Sequence, residues 1–426
     1  MLANSIEVQS YYQASAAPSP QLPPLSGEQV ADVCVIGGGY TGLSAALELA
    51  QAGYKVIVLE AERVGFGASG RNGGQICTGF SSGQQKIVAQ IGREDARKCF
   101  ALAEESKQLL KDRITRHAID CGLKWGYLHV IPKPRQFDGL KTWKDEWDGL
   151  GYTDTQILGK TELEEKLGTR AYHGALREGG AGHFHPLNYC HGLARAAAAA
   201  GAIIHEQSRV LELDTGSSPV ARTAGGRVCA KFLVIAGNGY LGRLAPKLHN
   251  KVMPVKSYII ATEPLGENRA RALIRDGEAV ANTNFIVEYF RVTRDTRMLF
   301  GGRASYSALE PADLAASIKP LMTAVFPQLH DARIDYAWGG YIAITNNRIP
   351  DCGRLSPTTY YAHGYSGQGV ALAGLYGKLM AEAIRGTAER FDLLSRIRHL
   401  PFAGGPFRTP MLAAAMQYFR LKDAMG

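Results

Sequence analysis

With 426 residues, 46% of them apolar and 20% charged, the chain is long enough for two or three domains around a large core, and its composition excludes bulk disorder. A net charge of +9 raises nucleic acid or an anionic membrane as partners. Lys and Arg are interspersed with Asp and Glu, however, as in Glu94-Asp-Ala-Arg-Lys98 and Glu162-Leu-Glu-Glu-Lys166, so the charge reads as a mixed, solvated surface and nucleic-acid binding is rejected.

Residues 1–10 have neither a basic start nor an apolar segment of signal-peptide length, and no run of eighteen apolar residues follows, so a cytoplasmic protein without a transmembrane segment is expected. The seven cysteines are scattered, odd in number and without a C-x-x-C pair, which predicts reduced thiols and no metal site. Residues 15–25, rich in Pro and Ala, predict an extended piece of an N-terminal arm spanning 1–30.

The stretch 32–75 organises everything after it. An apolar run, Asp32-Val-Cys-Val-Ile36, reads as a buried parallel strand and turns through Gly37-Gly-Gly39-Tyr-Thr-Gly42 into an Ala- and Leu-rich helix. The turn is G-x-G-x-x-G, whose glycines admit a pyrophosphate to the helix N-terminus. A second strand, 55–59, delivers Glu60 eighteen residues after Gly42, where a carboxylate can accept hydrogen bonds from a ribose. Strand, glycine turn, helix, strand and acid in this order predict dinucleotide binding. A second glycine-rich loop follows at 65–75, with Ala68, Ser69, Arg71, Asn72, Gly73, Gly74 and Gln75. A nicotinamide domain has no need of it, whereas a flavin enzyme threads backbone past both pyrophosphate and ring, so the predicted cofactor is FAD.

Helical spacing recurs over 84–111, a strand over 123–131, helices over 140–150 and 160–167, and a strand over 172–176. These assign 84–185 to a substrate domain. A helix over 187–200 and strands at 201–205, 209–213 and 231–235 return to the nucleotide domain and end in Ala236-Gly237-Asn238-Gly239, small enough to pass close to a cofactor. Strands over 253–262 and 285–303, the latter a hairpin turning at 294–297, a helix over 311–326 and a strand over 333–345 read as substrate domain, 246–344. The loop Gly364-Tyr-Ser-Gly367-Gln368-Gly369 then opens a helix over 370–385, whose positive end suits the charge that a reduced flavin carries. The nucleotide domain is thus predicted from 31–83, 186–245 and 345–390, and a C-terminal helical extension from 391–426 with a helix at 411–425.

Three of these segments, residues 32–60, Gly67-Ala-Ser-Gly-Arg-Asn-Gly-Gly-Gln75 and 364–369, resemble the D-amino-acid oxidase, glycine oxidase and sarcosine oxidase superfamily. Tyr11-Tyr-Gln-Ala-Ser-Ala16, Gly182-His-Phe-His-Pro-Leu-Asn188, Tyr289-Phe-Arg-Val-Thr293, Leu299-Phe-Gly-Gly302 and Pro401-Phe-Ala-Gly-Gly405 are similar to its gamma-glutamylputrescine oxidase branch. The resemblance implies a Rossmann-like FAD-binding domain with a second, mainly antiparallel substrate domain. It implies oxidation of a gamma-glutamylated amine by hydride transfer, hydrolysis of the imine to aldehyde and ammonia, and reduction of O2 to hydrogen peroxide. It also places Val210 where a backbone N–H and C=O hold the adenine.

Two departures bear on this. Sarcosine oxidase carries a flavin-bonded cysteine where this chain has Trp338-Gly-Gly-Tyr341, so noncovalent FAD is expected. Its oxygen-activating lysine has no counterpart near Leu299-Phe300, which keeps a dehydrogenase that passes electrons to a quinone or a protein as the alternative. The family's usual histidine in the C-terminal loop is Gln368 here.

No side-chain nucleophile is required. Candidates for substrate contact are Arg348, for a carboxylate; Arg291, ranked below it because hairpin arginines usually face solvent; His183 and His185; and the aromatic residues Tyr289, Trp338, Tyr341 and Tyr365.

Overall fold

The structure is a computed structural model that describes residues 9–305 and 311–402, with backbone only for 303–305. The helix expected over 411–425 and the residues after Phe402 lie outside it. Among the described residues there are two large sheets.

The strand Gly27–Ile36 ends in four successive buried residues, so it needs cover on both faces. It lies between the parallel strands Val56–Leu59 and Gly226–Ile235. Val33, Val35, Val56 and Val58 alternate onto a core shared with the helices Tyr40–Gln51 and Gly369–Ile384. Cys34, Ile36, Ile57 and Leu59 face the opposite core, under the hairpin of Val210–Asp214 and Val220–Thr223. Ile203–His205 closes one edge, and Asp351–Ser356 with Thr359–His363 the other. The first strand begins at Gly27 rather than 32, because its pairing with Gly226–Ile235 already starts at Gly27↔Gly226.

The second sheet runs Ile334–Thr345, Val252–Thr262, Met298–Ser305, Tyr289–Val292, Ala279–Asn282, Lys124–Val130, Ala175–His183 and Gln75–Ile76, with Thr155–Leu158 added on Ala175–His183. Its pairings are antiparallel except where Ala279–Asn282 meets Lys124–Val130. Residues alternate between its faces. Val130, Ile260, Val280, Phe290 and Phe300 pack with Ile318 and Met322 of the helix Leu314–Val325. The other face presents Trp338, Ile259, Leu299, Tyr289, Ala281 and Tyr127. That second face meets the glycine loop at 67–75.

Three boundaries differ from the sequence reading. The helices Gln84–Ile91 and Arg93–Arg116 pack on the nucleotide-sheet core through Ile87, Cys99, Ala103 and Leu110, not within the second sheet. An amphipathic stripe announces a buried face without naming what buries it. Gln75–Ile76, expected in the nucleotide domain, pairs with Ala175–His183 of the second sheet. Glu389–Ser395 is no free extension, since Phe391 and Leu394 enter the nucleotide-side core.

The N-terminal segment is anchored at several points. Ser10 caps the helix Tyr11–Ser15 by accepting the Gln13 N–H, and the chain then runs extended. Glu206 accepts the Leu22 N–H at 3.1 Å with one carboxylate oxygen and the Val64 N–H at 2.8 Å with the other, tying the arm to the sheet. Glu206→Ala leaves both amides without their acceptor and should cost about 2 kcal/mol in urea unfolding. A variant within experimental error of the parent would show that the arm contributes nothing there. No helix among the described residues is long and apolar enough to cross a membrane.

Candidate functional site

The first glycine turn has little room for side chains. A Cβ at Gly37, whose φ is +109°, would stand 2.8 Å from the Ala236 carbonyl oxygen. One at Gly42 would run into the Gly37 carbonyl oxygen and press on Val35, so strand and helix approach through that glycine. Gly39 is the N-cap of the helix Tyr40–Gln51 and has no side chain to satisfy its free N–H groups; Ser69 reaches over to accept the Tyr40 N–H at 3.0 Å. Glu60 ends the strand Val56–Leu59, and its carboxylate accepts the Gly38 N–H at 2.6 Å. Burial pushes the Glu60 carboxyl up, against the pull of the backbone N–H groups of Glu62 and Gly38. The turn thus offers an open helix N-terminus beside a desolvated acid, the pair that an anionic dinucleotide with ribose hydroxyls requires. Val210, at the start of the strand Val210–Asp214, is buried in the core below it.

The second glycine loop forms one helical turn, Ala68–Arg71, and then extends. Asn72 braces it internally by donating to the Ala68 and Ser69 carbonyls and accepting the Gly74 N–H at 2.7 Å. Arg71 donates Nε to the Phe66 carbonyl at 2.8 Å, and its guanidinium lies 4.8 Å from the Phe66 ring centroid. Trp338 Nε1 donates to the Arg71 carbonyl at 3.0 Å, and Gln75 Nε2 to the Val280 carbonyl at 3.1 Å. The loop is therefore pinned to the second sheet at both ends. Gly73 faces the Tyr289 ring, where a Cβ would come within 2.8 Å.

The third wall is the N-terminus of the helix Gly369–Ile384. Ser366 and Gly367 both hold positive φ, and Gln368 is the N-cap without a side-chain cap. Gln368 Oε1 is buried and makes no hydrogen bond among the described residues, the sort of orphan that a bound group satisfies. Asn238, just after Gly237, accepts the Gly364 N–H at 2.9 Å and so fastens this loop to the end of the strand Gly226–Ile235. The sequence reading gave Asn238 no such role. The residues fit FAD: two helix ends without side-chain caps of their own, an acid at the end of the second strand, an acceptor without a hydrogen bond among the described residues, and glycines at 37, 42 and 73 where an added Cβ would crowd its neighbours.

The substrate candidates divide. Arg348 follows the strand Ile334–Thr345 in a turn, with φ +62°, a backbone region costly for a non-glycine residue and concentrated at functional sites. Among the described residues its guanidinium makes no hydrogen bond or ion pair; it lies over the Phe285 ring, 4.4 Å from the centroid. The turn abuts the 364–369 loop, since Ser366 Oγ accepts the Thr345 N–H at 3.2 Å. Arg291 contrasts with it. The expectation of a solvent-facing hairpin arginine is overturned: Arg291 is buried, and its donors go to Gly73, Tyr12, Phe184 and His183. No fork remains open for a carboxylate.

Among the aromatic candidates, Tyr289 lays its ring on Gly73 of the glycine loop, with its hydroxyl 3.4 Å from Ser257 Oγ. Tyr341 is half-buried against Tyr240, which accepts its N–H at 3.2 Å. Trp338 is buried with its indole edge on Tyr12. Tyr365 bonds Thr41 Oγ1 at 2.7 Å and packs on Tyr376, inside the core.

His185 and His183 are packed groups. His185 is the N-cap of the helix Pro186–Ala199, accepting the Asn188 N–H at Nδ1, which leaves Nε2 to donate to Ser15 Oγ at 3.1 Å. His183 donates Nε2 to the Gly277 carbonyl at 2.9 Å and turns Nδ1 to Arg291. Burial, helped by the Arg291 charge, holds His185 down at about 4 and His183 at about 3. The unfolded chain takes up these protons near 6.5 and the folded one does not, so stability is full above pH 6.5 and falls as pH drops through the window from 6.5 towards 4. The pair should remove about 2 kcal/mol between pH 6.5 and 5.5. Urea unfolding at these two pH values checks it, with His185→Gln expected to lessen the slope; equal midpoints for the parent would contradict it.

Comparison with known proteins identifies the family. The family described as "FAD dependent oxidoreductase" (DAO) matches residues 32–383. The gamma-glutamylputrescine oxidoreductase of Escherichia coli (strain K12) is 40% identical over 98% of this chain and 98% of its own length. A probable oxidoreductase, OrdL, of Haemophilus influenzae is 41% identical over 98% of this chain and 97% of its own. The crystal structure of glycine oxidase from Geobacillus kaustophilus superposes with a TM-score of 0.73 at 25% identity, covering 87% of this chain and 99% of that one.

Proposed function

The chain belongs to the DAO family of FAD-dependent oxidoreductases, and from that premise we propose that it oxidises a gamma-glutamylated amine, gamma-glutamylputrescine first among them, to an aldehyde and ammonia, with O2 as acceptor and hydrogen peroxide as product. The likeness to the Escherichia coli enzyme over nearly the whole length supports the substrate class. The observation that carries it within the structure is Arg348, whose guanidinium lies over Phe285 and makes no hydrogen bond or ion pair among the described residues, in a turn beside the 364–369 loop.

FAD supplies, when bound, an acceptor for a hydride from the carbon that bears the amine. The chain's own residues do the rest. The N-termini at Tyr40 and Gly369 would hold the dinucleotide, Glu60 would accept from its ribose, and loop 67–75 would border it chiefly with backbone. Arg348 holds the glutamyl carboxylate through a bidentate contact, which sets the reach from carboxylate to amine and so the chain length accepted. Tyr289 and Tyr341 provide apolar surface for the aliphatic chain. An alkyl amine has a solution pKa of about 10.4, and desolvation between such surfaces favours its neutral form, whose lone pair drives hydride loss. The resulting imine takes up water and releases ammonia.

Attachment of FAD is noncovalent in this reading. No cysteine stands in Trp338-Gly-Gly-Tyr341, and Cys352 is buried in the nucleotide-side core. Acid precipitation should leave all the flavin in the supernatant.

The test is anaerobic mixing of purified protein with gamma-glutamylputrescine, free putrescine and sarcosine, followed by admission of air. Bleaching of the flavin by the gamma-glutamylated amine alone, reversed by air with peroxide formation, is the expected result. Bleaching by sarcosine alone would replace the substrate, and bleaching that air does not reverse would replace O2 with a quinone or protein acceptor.

A further inference from the structure

Arg291 is a charge that the proposed chemistry leaves unused. Its side chain is 4% exposed, and among the described residues no carboxylate pairs with it. Nε donates to the Gly73 carbonyl at 2.7 Å, Nη2 to the Phe184 carbonyl and to the Tyr12 hydroxyl at 3.1 Å each, and Nη1 faces His183 Nδ1 at 3.4 Å. Every one of these partners is neutral. Buried charges are ordinarily paired, because a guanidinium stripped of water and given only dipoles keeps a field that nothing nearby cancels.

The neighbourhood records that field. The Arg291 charge is among the causes that keep His183 and His185 neutral, and it opposes the upward push of burial on the Tyr12 phenol. The carboxylates on the same hairpin are engaged elsewhere, Asp295 accepting from the Tyr11 hydroxyl, Thr293 and Arg297, and Glu288 from the Asn282 amide.

Position matters as much as charge. Arg291 stands two residues after Tyr289 in the strand Tyr289–Val292, so both side chains leave the same face of the sheet, towards loop 67–75. It grips the Gly73–Gly74 peptide at its carbonyl, while Asn72 Oδ1 takes the N–H of the same peptide at 2.7 Å. The cation is thus fixed immediately behind the backbone that the cofactor must pass. Tyr12 holds it from the other side, packed edge-on against Trp338 and His185.

We propose that Arg291 is a positioning residue for the bound flavin: it locks the Gly73–Gly74 peptide and supplies a permanent positive charge behind it that makes the oxidised ring a stronger electron acceptor, with Tyr12 of the N-terminal helix holding the guanidinium in place. It rests on loop 67–75 bordering the flavin ring, and not on which amine is oxidised.

Sulfite is the probe, since its sulfur lone pair bonds to N5 of oxidised flavin and leaves negative charge on the ring, with no bond broken and no further reactant. The FAD-containing parent, Arg291→Met, Arg291→Lys and Tyr12→Phe are titrated with sulfite while the visible flavin absorbance is followed. Arg291→Met should bind sulfite roughly tenfold or more weakly, Arg291→Lys less affected because it keeps the charge without the fork, and Tyr12→Phe a few-fold weaker. A merely structural arginine would change FAD content or melting temperature and leave the sulfite affinity of the flavin-bound fraction unmoved, which overturns the proposal. Should Arg291→Met be obtained without FAD, parental sulfite affinity in both Arg291→Lys and Tyr12→Phe overturns it equally. The titration uses no amine, so a wrong substrate assignment leaves its outcome intact.

Discussion

Gly42→Ala should yield a colourless protein. The added Cβ meets the Gly37 carbonyl oxygen and Val35, and the first of these is backbone in the glycine turn proposed to carry the pyrophosphate, so it cannot swing aside as a side chain would. Relief requires the helix Tyr40–Gln51 to lift from the strand, which displaces the N-terminus proposed to face the dinucleotide. An overpacking cost of about 3 kcal/mol, placed on the bound conformation, is roughly a hundredfold in FAD affinity. Gly39→Ala is the comparison. Its Cβ would lie 2.8 Å from Ser69 Oγ, a group that can rotate away, so the loss should be nearer tenfold and come from the missing cap on Tyr40. The ratio of flavin to protein absorbance after dialysis measures both. Equal retention in the two variants would mean that the close approach at Gly42 is not what admits the cofactor.

Arg348→Gln should lower kcat/KM for gamma-glutamylputrescine about a hundredfold, chiefly through KM. The guanidinium lies over Phe285 without a hydrogen-bonding partner among the described residues, so the substitution removes no internal ion pair and the fold has little reason to respond. A bidentate, charge-assisted contact contributes about 3 kcal/mol, and its loss from ground and transition states alike appears as KM. Arg348→Lys should recover only part, since an ammonium offers a point charge in place of a fork. An unchanged KM in Arg348→Gln would exclude the carboxylate contact and return the question to the second sheet.

Much of the nucleotide side was legible beforehand because its constraints are local. The turn from Ile36 through Gly42, Glu60 at the end of its strand, and the glycine-marked start of the helix Gly369–Ile384 each announce themselves within about twenty residues. Arg291 was misjudged for a reason that strand geometry could have repaired: two residues from Tyr289, it shares that side chain's face, and the face is inward. Tyr12 and Asn238 gave no such opening. One is 279 residues from the guanidinium it holds and the other 126 from the amide it accepts, and neither pairing has a periodic signature. The placement of residues 84–116 failed similarly, because an amphipathic pattern is the same whichever sheet lies beneath it.

The order of strands in the nucleotide sheet bears on how the chain is made. Gly27–Ile36 occupies the middle of that sheet and leaves the ribosome well before two of its partners, since one of its flanking strands is Gly226–Ile235 and one of the two helices over its core begins only at Gly369. The second sheet offers no earlier refuge, since its edge strand Gln75–Ile76 waits for Ala175–His183 and its other edge for residues beyond 334. For most of its synthesis the emerging chain therefore carries the apolar strand 33–36 without its final partners, a state in which exposed strand edges invite aggregation. Holding by a chaperone until the helix Gly369–Ile384 has emerged should accordingly raise yield.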